Sequence, residues 1–177
     1  MTPSAETDRA GPDSGEVDEL VADLYRRHAL TLVRAAKLLL RDQEAAEDVV
    51  QDAFLGLYRA LPRLRDHDDV LPYLRAAVIN RARSVLRSRR RALSRAFHHE
   101  PPAGSAESAA MIREDQRAVI VAVAALPRRA REILVCRYYL GLPDADIAAT
   151  LGVSRGTVSS TASRALAALG RDLKESL

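Results

Sequence analysis

The sequence predicts an all-α protein built as two small helical domains joined by a flexible linker. Three observations carry that expectation. Apolar residues recur at helical spacing through most of the 177 residues. Tryptophan is absent and aromatic residues make up 4% of the chain, which disfavours a β-rich fold. The last third carries a helix-turn-helix pattern around Gly152. With 47% hydrophobic residues and only 8 glycines, the chain has enough apolar surface to bury one or two small cores.

Residues 1–17 are rich in Pro, Gly, Ser, Thr and acids and poor in large apolar groups, so they read as a disordered tail. From Asp18 the stripe Leu20, Val21, Leu24, Leu32, Val33, Ala36, Leu39 and Leu40 predicts a helix ending near Arg41-Asp42. A second helix is expected from Gln43 to Leu61, where Pro62 stops it, and a third from Leu71 to Arg91. Between Phe97 and Met111 periodicity fades and turn formers accumulate, which marks a linker. Helices resume near Ile112 and run to Leu126, then from Pro127 to Tyr139. The expected division is therefore a tail at 1–17, a first domain at 18–95, a linker at 96–111 and a second domain at 112–177.

The C-terminal pattern is the most specific. After Leu142-Pro143, Asp144 is placed to cap a short helix with Ile147, Ala148 and Leu151 on one face. Ala148 is small where two helices must cross, and Gly152 can take the positive φ of the turn. Ser154 then caps a longer helix, with Val158, Ala165, Leu166 and Leu169 inward and Arg155, Thr157, Ser159, Ser160, Ser163 and Arg164 outward. A polar outer face on the second helix of such a unit suits a DNA groove. An ordinary helical hairpin is the other reading.

In the second helix, Ala46, Val49, Val50, Ala53, Phe54, Leu57 and Leu61 form the inward stripe. Glu44, Glu47, Asp48, Gln51 and Asp52 form a dense, mostly acidic face with Leu55 beside it. This face fits either a basic helical partner or plain solvation, the acids complementing the helix N-terminus. The third helix turns Tyr73, Leu74, Ala77, Val78, Ala82 and Val85 toward a core and Arg75, Asn80, Arg83 and Arg87 away from it. Eight arginines and no acid lie between Arg75 and Arg95, a spacing that can follow a phosphate backbone, while Asn80 offers donor and acceptor to a base edge. The run Arg89-Arg90-Arg91 reads equally as a solvated helix end. The polar loop Leu64-Arg65-Asp66-His67-Asp68-Asp69 beside this helix could hold an unpaired base, although few aromatic residues are available to stack on one.

Other function classes find little support. Cys136 is the single cysteine and sits in an apolar run, where it packs as a small hydrophobe, so no disulfide or cysteine-based metal site is expected. His98 and His99 are adjacent in a Pro-rich stretch and lack ligand spacing. No cofactor is expected, and no nucleophile-elbow or phosphate-cradling Gly loop is present to suggest an enzyme. The chain has no N-terminal apolar h-region and no long apolar run, so neither secretion nor membrane insertion is expected and a cytoplasmic location is the default. Lysine occurs only at Lys37 and Lys174. Codon bias can explain that preference for arginine but not the clustering.

Taken in order and spacing, these segments resemble the extracytoplasmic-function (ECF) class of bacterial RNA polymerase sigma factors, particularly actinobacterial members. The resemblance rests on Ala46-Glu47-Asp48-Val49-Val50-Gln51-Asp52-Ala53-Phe54, on Ala60-Leu61-Pro62-Arg63-Leu64-Arg65, on the Leu74 to Arg91 helix with Asn80, and on Leu126-Pro127 through Val158. It covers nearly all of Leu20 to Leu173.

The resemblance implies core RNA polymerase, promoter DNA and an anti-sigma factor as partners. Polymerase binding would fall on Asp48, Gln51, Asp52, Phe54 and Leu55. Recognition and melting of the minus-ten element would fall on Arg65, Asp66, His67, Asp68, Asn80, Arg83 and Arg87. Reading of the minus-thirty-five duplex would fall on Ser154, Arg155, Thr157, Ser159, Ser160 and Arg164. Many relatives carry Trp where Tyr73 stands and basic residues where Ser159, Thr161 and Ser163 stand, so fewer phosphate contacts are expected at the last helix. The competing expectation is a stand-alone helix-turn-helix regulator, which would bind duplex DNA tightly without polymerase.

Overall fold

The computed structural model describes residues 14–61, 70–95 and 114–175, and every regular element among them is helical. The first group comprises α1 (Ser14–Leu40), α2 (Gln43–Ala60) and α3 (Val70–Arg95). The second comprises α4 (Glu114–Ala125), α5 (Arg128–Leu134) with a π-helical turn at Val135–Tyr139, α6 (Asp144–Leu151) and α7 (Arg155–Glu175). The helices α1, α2 and α3 pack on one another, and α4, α5 and α6 each pack on α7. The expected linker at 96–111 and the loop residues Arg65, Asp66, His67 and Asp68 lie outside the described residues.

Helix α1 begins at Ser14, four residues before the expected start, and Val17 is buried rather than part of a solvated tail. It ends where Arg41 takes a left-handed φ of 59° and donates its N–H to the Lys37 carbonyl, a C-terminal turn that an arginine adopts only at some backbone cost. Asp42 follows immediately as the N-cap of α2, its carboxylate accepting from the Ala45 N–H at 3.1 Å. The same carboxylate accepts from Arg89 of α3 at 2.6 Å, and Arg89 also reaches the Leu40 carbonyl. The arginine run at the end of α3 is thus not simply solvated, because Arg89 clips that helix to the α1–α2 corner. The Ala45 N–H and then Arg89 hold the Asp42 carboxyl below its ordinary value near 3.8.

The inward stripe of α2 is buried throughout, from Ala46 to Leu57, with Leu61 beneath the end of the helix. In α3, Leu74, Val78 and Ala82 are buried as expected and Ile79 joins them, but Tyr73 is not core: it sits 39% exposed in the first turn of the helix. The expected single helix from Pro127 to Tyr139 is interrupted. Leu140 donates its N–H to the Val135 carbonyl, five residues back, so one residue bulges. The bulge turns Tyr138 and Tyr139 outward while Val135, Cys136, Leu140 and Leu142 stay buried. Buried residues from both groups of helices belong to one apolar cluster, α1 packing against α4, α5 and the π-helical turn.

Candidate partner and nucleic-acid interfaces

The helix-turn-helix forms around Gly152, whose φ of 66° and ψ of 47° are left-handed. Val153 donates to the Ala148 carbonyl, which closes the end of α6. Ile147, Ala148, Leu151, Val158, Ala162 and Ala165 fill the angle between α6 and α7. Leu166, expected inward, is instead 43% exposed: the α7 stripe follows Val158, Ala162, Ala165 and Leu169, and Leu166 falls just off it. Asp144 does not cap α6. Pro143 holds the N-cap position and no side chain caps it, because Asp144 is committed to an ion pair with Arg137 of the π-helical turn. One of the two hydrogen bonds of that pair, from Arg137 Nε to Asp144 Oδ1, is 2.8 Å long. The pairing raises the Arg137 pKa and fixes α6 against the preceding turn.

At the start of α7, Ser154 Oγ accepts from the Thr157 N–H at 3.1 Å, so Ser154 is the expected N-cap. Its hydroxyl also lies 2.9 Å from Thr157 Oγ1. Ser160 donates to the Thr157 carbonyl and Arg164 to the Ser160 carbonyl, which lays the Arg164 stem along the helix. Arg155, Thr157, Ser159, Ser160 and Arg164 are all exposed on this face. Arg155 and Ser159, at the N-terminal end of α7, stand where such a helix meets base edges.

On α2, Asp48, Gln51 and Asp52 are exposed, and Leu55 beside them is 48% exposed. Phe54 differs. It is 5% exposed and stacks edge-on against Tyr25 with ring centroids 5.0 Å apart, so it supports the acidic face from behind rather than presenting a surface to a partner.

On α3, Asn80 and Arg87 are exposed, and Arg81 lies over Gly56 of α2, where a Cβ would meet its guanidinium at 2.7 Å. Arg83 departs from the expected outward placement. Its side chain is 16% exposed and it donates to the Thr150 carbonyl at 2.7 Å and to the Leu151 carbonyl at 3.3 Å, both at the end of α6. Glu132 of α5, which the sequence pattern did not single out, is the buried charged residue of the described structure, 2% exposed. Arg128 and Arg129 surround it at 2.8 and 3.5 Å. Their spacing of four and three residues from Glu132 was the one signal in the sequence.

Comparison with known proteins assigns the class. The profile of Sigma-70 region 2 matches residues 24–92 and that of Sigma-70, region 4 matches residues 116–169. The chain belongs to the sigma-70 family of RNA polymerase sigma factors. Within it, the chain is an ECF-type member: it is 34% identical over 148 residues to ECF RNA polymerase sigma factor SigM of Mycobacterium tuberculosis, covering 84% of this chain and 74% of that protein. It is also 34% identical over 151 residues to the probable RNA polymerase sigma factor RfaY of Xanthomonas campestris, which covers 81% of this chain but only 38% of the Xanthomonas protein. Among solved structures, the sigma factor RpoE of Bartonella quintana, in complex with the anti-sigma factor NepR, shares the fold with a TM-score of 0.71 at 24% identity, over 86% of this chain and 97% of that one.

Proposed function

We propose that this sigma factor binds core RNA polymerase through the exposed acidic face of α2 and directs it to promoters read in two parts. Asp48, Gln51, Asp52 and Leu55 would meet a basic helical surface of the polymerase, with Phe54 and Tyr25 bracing them from the core. Asn80, Arg83 and Arg87 of α3, with Arg65, Asp66, His67 and Asp68 of the preceding loop, would hold the melted minus-ten strand. Ser154, Arg155, Thr157, Ser159, Ser160 and Arg164 would read the minus-thirty-five duplex. In this reading residues 18–95 and 112–177 act as separate DNA-contacting domains. The protein works in the cytoplasm and contributes no catalytic group, since nucleotide addition belongs to the polymerase.

The observation that carries the proposal is the combination of an exposed acidic helix with a folded helix-turn-helix, in the order of the two matched regions. The face that suits polymerase also offers an anti-sigma factor, such as the one bound to the Bartonella protein, a place to compete.

Run-off transcription on fragmented GC-rich bacterial DNA, with sigma-free core polymerase, tests the reading. Discrete transcripts that depend on this protein are expected, and Asp48→Arg with Asp52→Arg should abolish both transcripts and polymerase binding while helical content is unchanged. Absence of transcripts, together with tight duplex binding by the protein alone, would favour a stand-alone regulator.

A further inference from the structure

The contact between the two groups of helices is polar at its centre, and its chemistry is unusual. Arg83 of α3 places its guanidinium fork on the carbonyls of Thr150 and Leu151, which α6 leaves without intrahelical partners at its C-terminus. Arg129 of α5 shares the Leu151 carbonyl at 3.2 Å. Behind these groups the Glu132 carboxylate lies 3.9 Å from Arg83 Nε, too far for a hydrogen bond, and that nitrogen is buried without a hydrogen-bond partner. Arg128 and Arg129 complete the ring around Glu132. One carboxylate therefore holds together arginines contributed by both halves of the molecule. Nearby, Arg131 donates to the Ala124 carbonyl and its charge faces that of Arg41 across the same seam.

Arg83 is also one of the α3 arginines whose spacing suits a phosphate backbone, and both of its hydrogen bonds cross the seam. Neutral carbonyls and a carboxylate beyond bonding distance make a weaker seat for a guanidinium than a phosphate, which offers a bidentate, charge-assisted pair. The seat is thus firm enough to hold the free chain and soft enough to yield to nucleic acid.

We infer that the free protein is held closed by an intrachain latch, in which Arg83 sits on the end of α6 over the buried Glu132, and that the latch withholds Arg83 from DNA until the halves separate. The structural part of the inference stands on the seam alone, and the DNA part rests on the function proposed above. Glu132→Gln removes the only negative charge of the ring and leaves Arg83, Arg128 and Arg129 to repel one another, so it should open the chain. Arg83→Ala removes the other half of the latch and should open it too. On nucleic acid the two variants should act in opposite directions, because the first frees Arg83 and the second deletes it.

The test uses the full chain without polymerase. Small-angle X-ray scattering should give a wild-type curve that fits the closed arrangement, and a larger radius of gyration for both variants with unchanged circular dichroism. Binding to a fluorescent single-stranded oligodeoxynucleotide at low salt should tighten in Glu132→Gln by on the order of tenfold if the wild type is about nine-tenths closed, and weaken in Arg83→Ala. Glu19→Gln, the same change of charge at an exposed position on α1, sets the effect of net charge alone and should fall well short of that gain.

A wild-type curve that fits separated halves, or variants as compact as wild type, overturns the latch. Opening accompanied by equal loss of binding in both variants overturns the withholding of Arg83. If Glu132→Gln loses helix content, the scattering of Arg83→Ala decides the latch, since Arg83 lies outside the α4–α7 group. The scattering contains no promoter or polymerase, so failure of the latch is separable from failure of run-off transcription.

Discussion

Replacing Gly152 by Ala isolates the backbone of the helix-turn-helix from its side-chain packing. A Cβ at this position would meet nothing within 4 Å, so the substitution creates no clash. The φ of +66° remains, and holding an L-residue there costs about 1–2 kcal/mol. Alanine also restricts the unfolded chain, which offsets about 0.4–1 kcal/mol of that cost. The net destabilisation is on the order of 1 kcal/mol, or a fall in Tm of about 2–4 °C for a chain of this size. Gly170 is the internal control: it too has open space around a Cβ, but it lies within α7, where Gly→Ala should stabilise by up to about 1 kcal/mol. Thermal unfolding followed by far-ultraviolet circular dichroism should therefore move in opposite directions for the two variants. A Gly152→Ala protein as stable as wild type, or one that gains stability like Gly170→Ala, would refute the assignment of this turn's cost to its left-handed backbone.

Leu57 and Leu55 stand two residues apart on α2 with 0% and 48% exposure, so Leu57→Ala should cost about 2–5 kcal/mol in urea unfolding. Leu55→Ala should cost less than about 0.5 kcal/mol in the same measurement yet weaken polymerase binding in a pull-down. Asp42→Ala should cost about 1 kcal/mol at neutral pH through the lost N-cap of α2. Because the folded Asp42 carboxyl titrates below its ordinary 3.8, that contribution is full above this value and fades as pH falls through the folded one, so urea midpoints of wild type and variant should converge in acid. Burial, and then Glu132, push the Cys136 thiol up to about 12, so alkylation by iodoacetamide near pH 8 should be far slower in the folded protein than in urea.

The sequence was most legible where one local rule decides the outcome. The periodicity of α2 marked every residue of its buried stripe, and Gly152 and Ser154 marked the turn and cap of the helix-turn-helix, because these features depend on neighbours within a few residues. It was less legible where a side chain chooses between local and distant partners. Asp144 is as good an N-cap as Ser154 by residue type, but Arg137 lies within reach and takes its carboxylate. Tyr73 and Leu166 each fall at the edge of an apolar stripe, where a fraction of a helical turn separates core from solvent. The π-helical bulge after Leu134 has no signature in the amino-acid order, since its driving force is the joint burial of residues on both sides of it.

Arg83 shows the same limit in its functional form. Helical spacing correctly put it on the side of α3 away from the first-domain core, together with Asn80 and Arg87. Spacing could not say what would come to meet that face. In the free chain the answer is the end of α6, sixty-seven residues later in the sequence for the nearer carbonyl. A guanidinium seeks paired acceptors whether they are phosphate oxygens or the last carbonyls of a helix. A helix built to follow a phosphate backbone is for that reason suited to hold a second domain of its own chain, and the buried carboxylate of Glu132 lets the arginines of the two domains come close enough to do so. The electrostatic features that fit α3 for nucleic acid are thus the ones that need a competitor within the protein if the free chain is to stay compact.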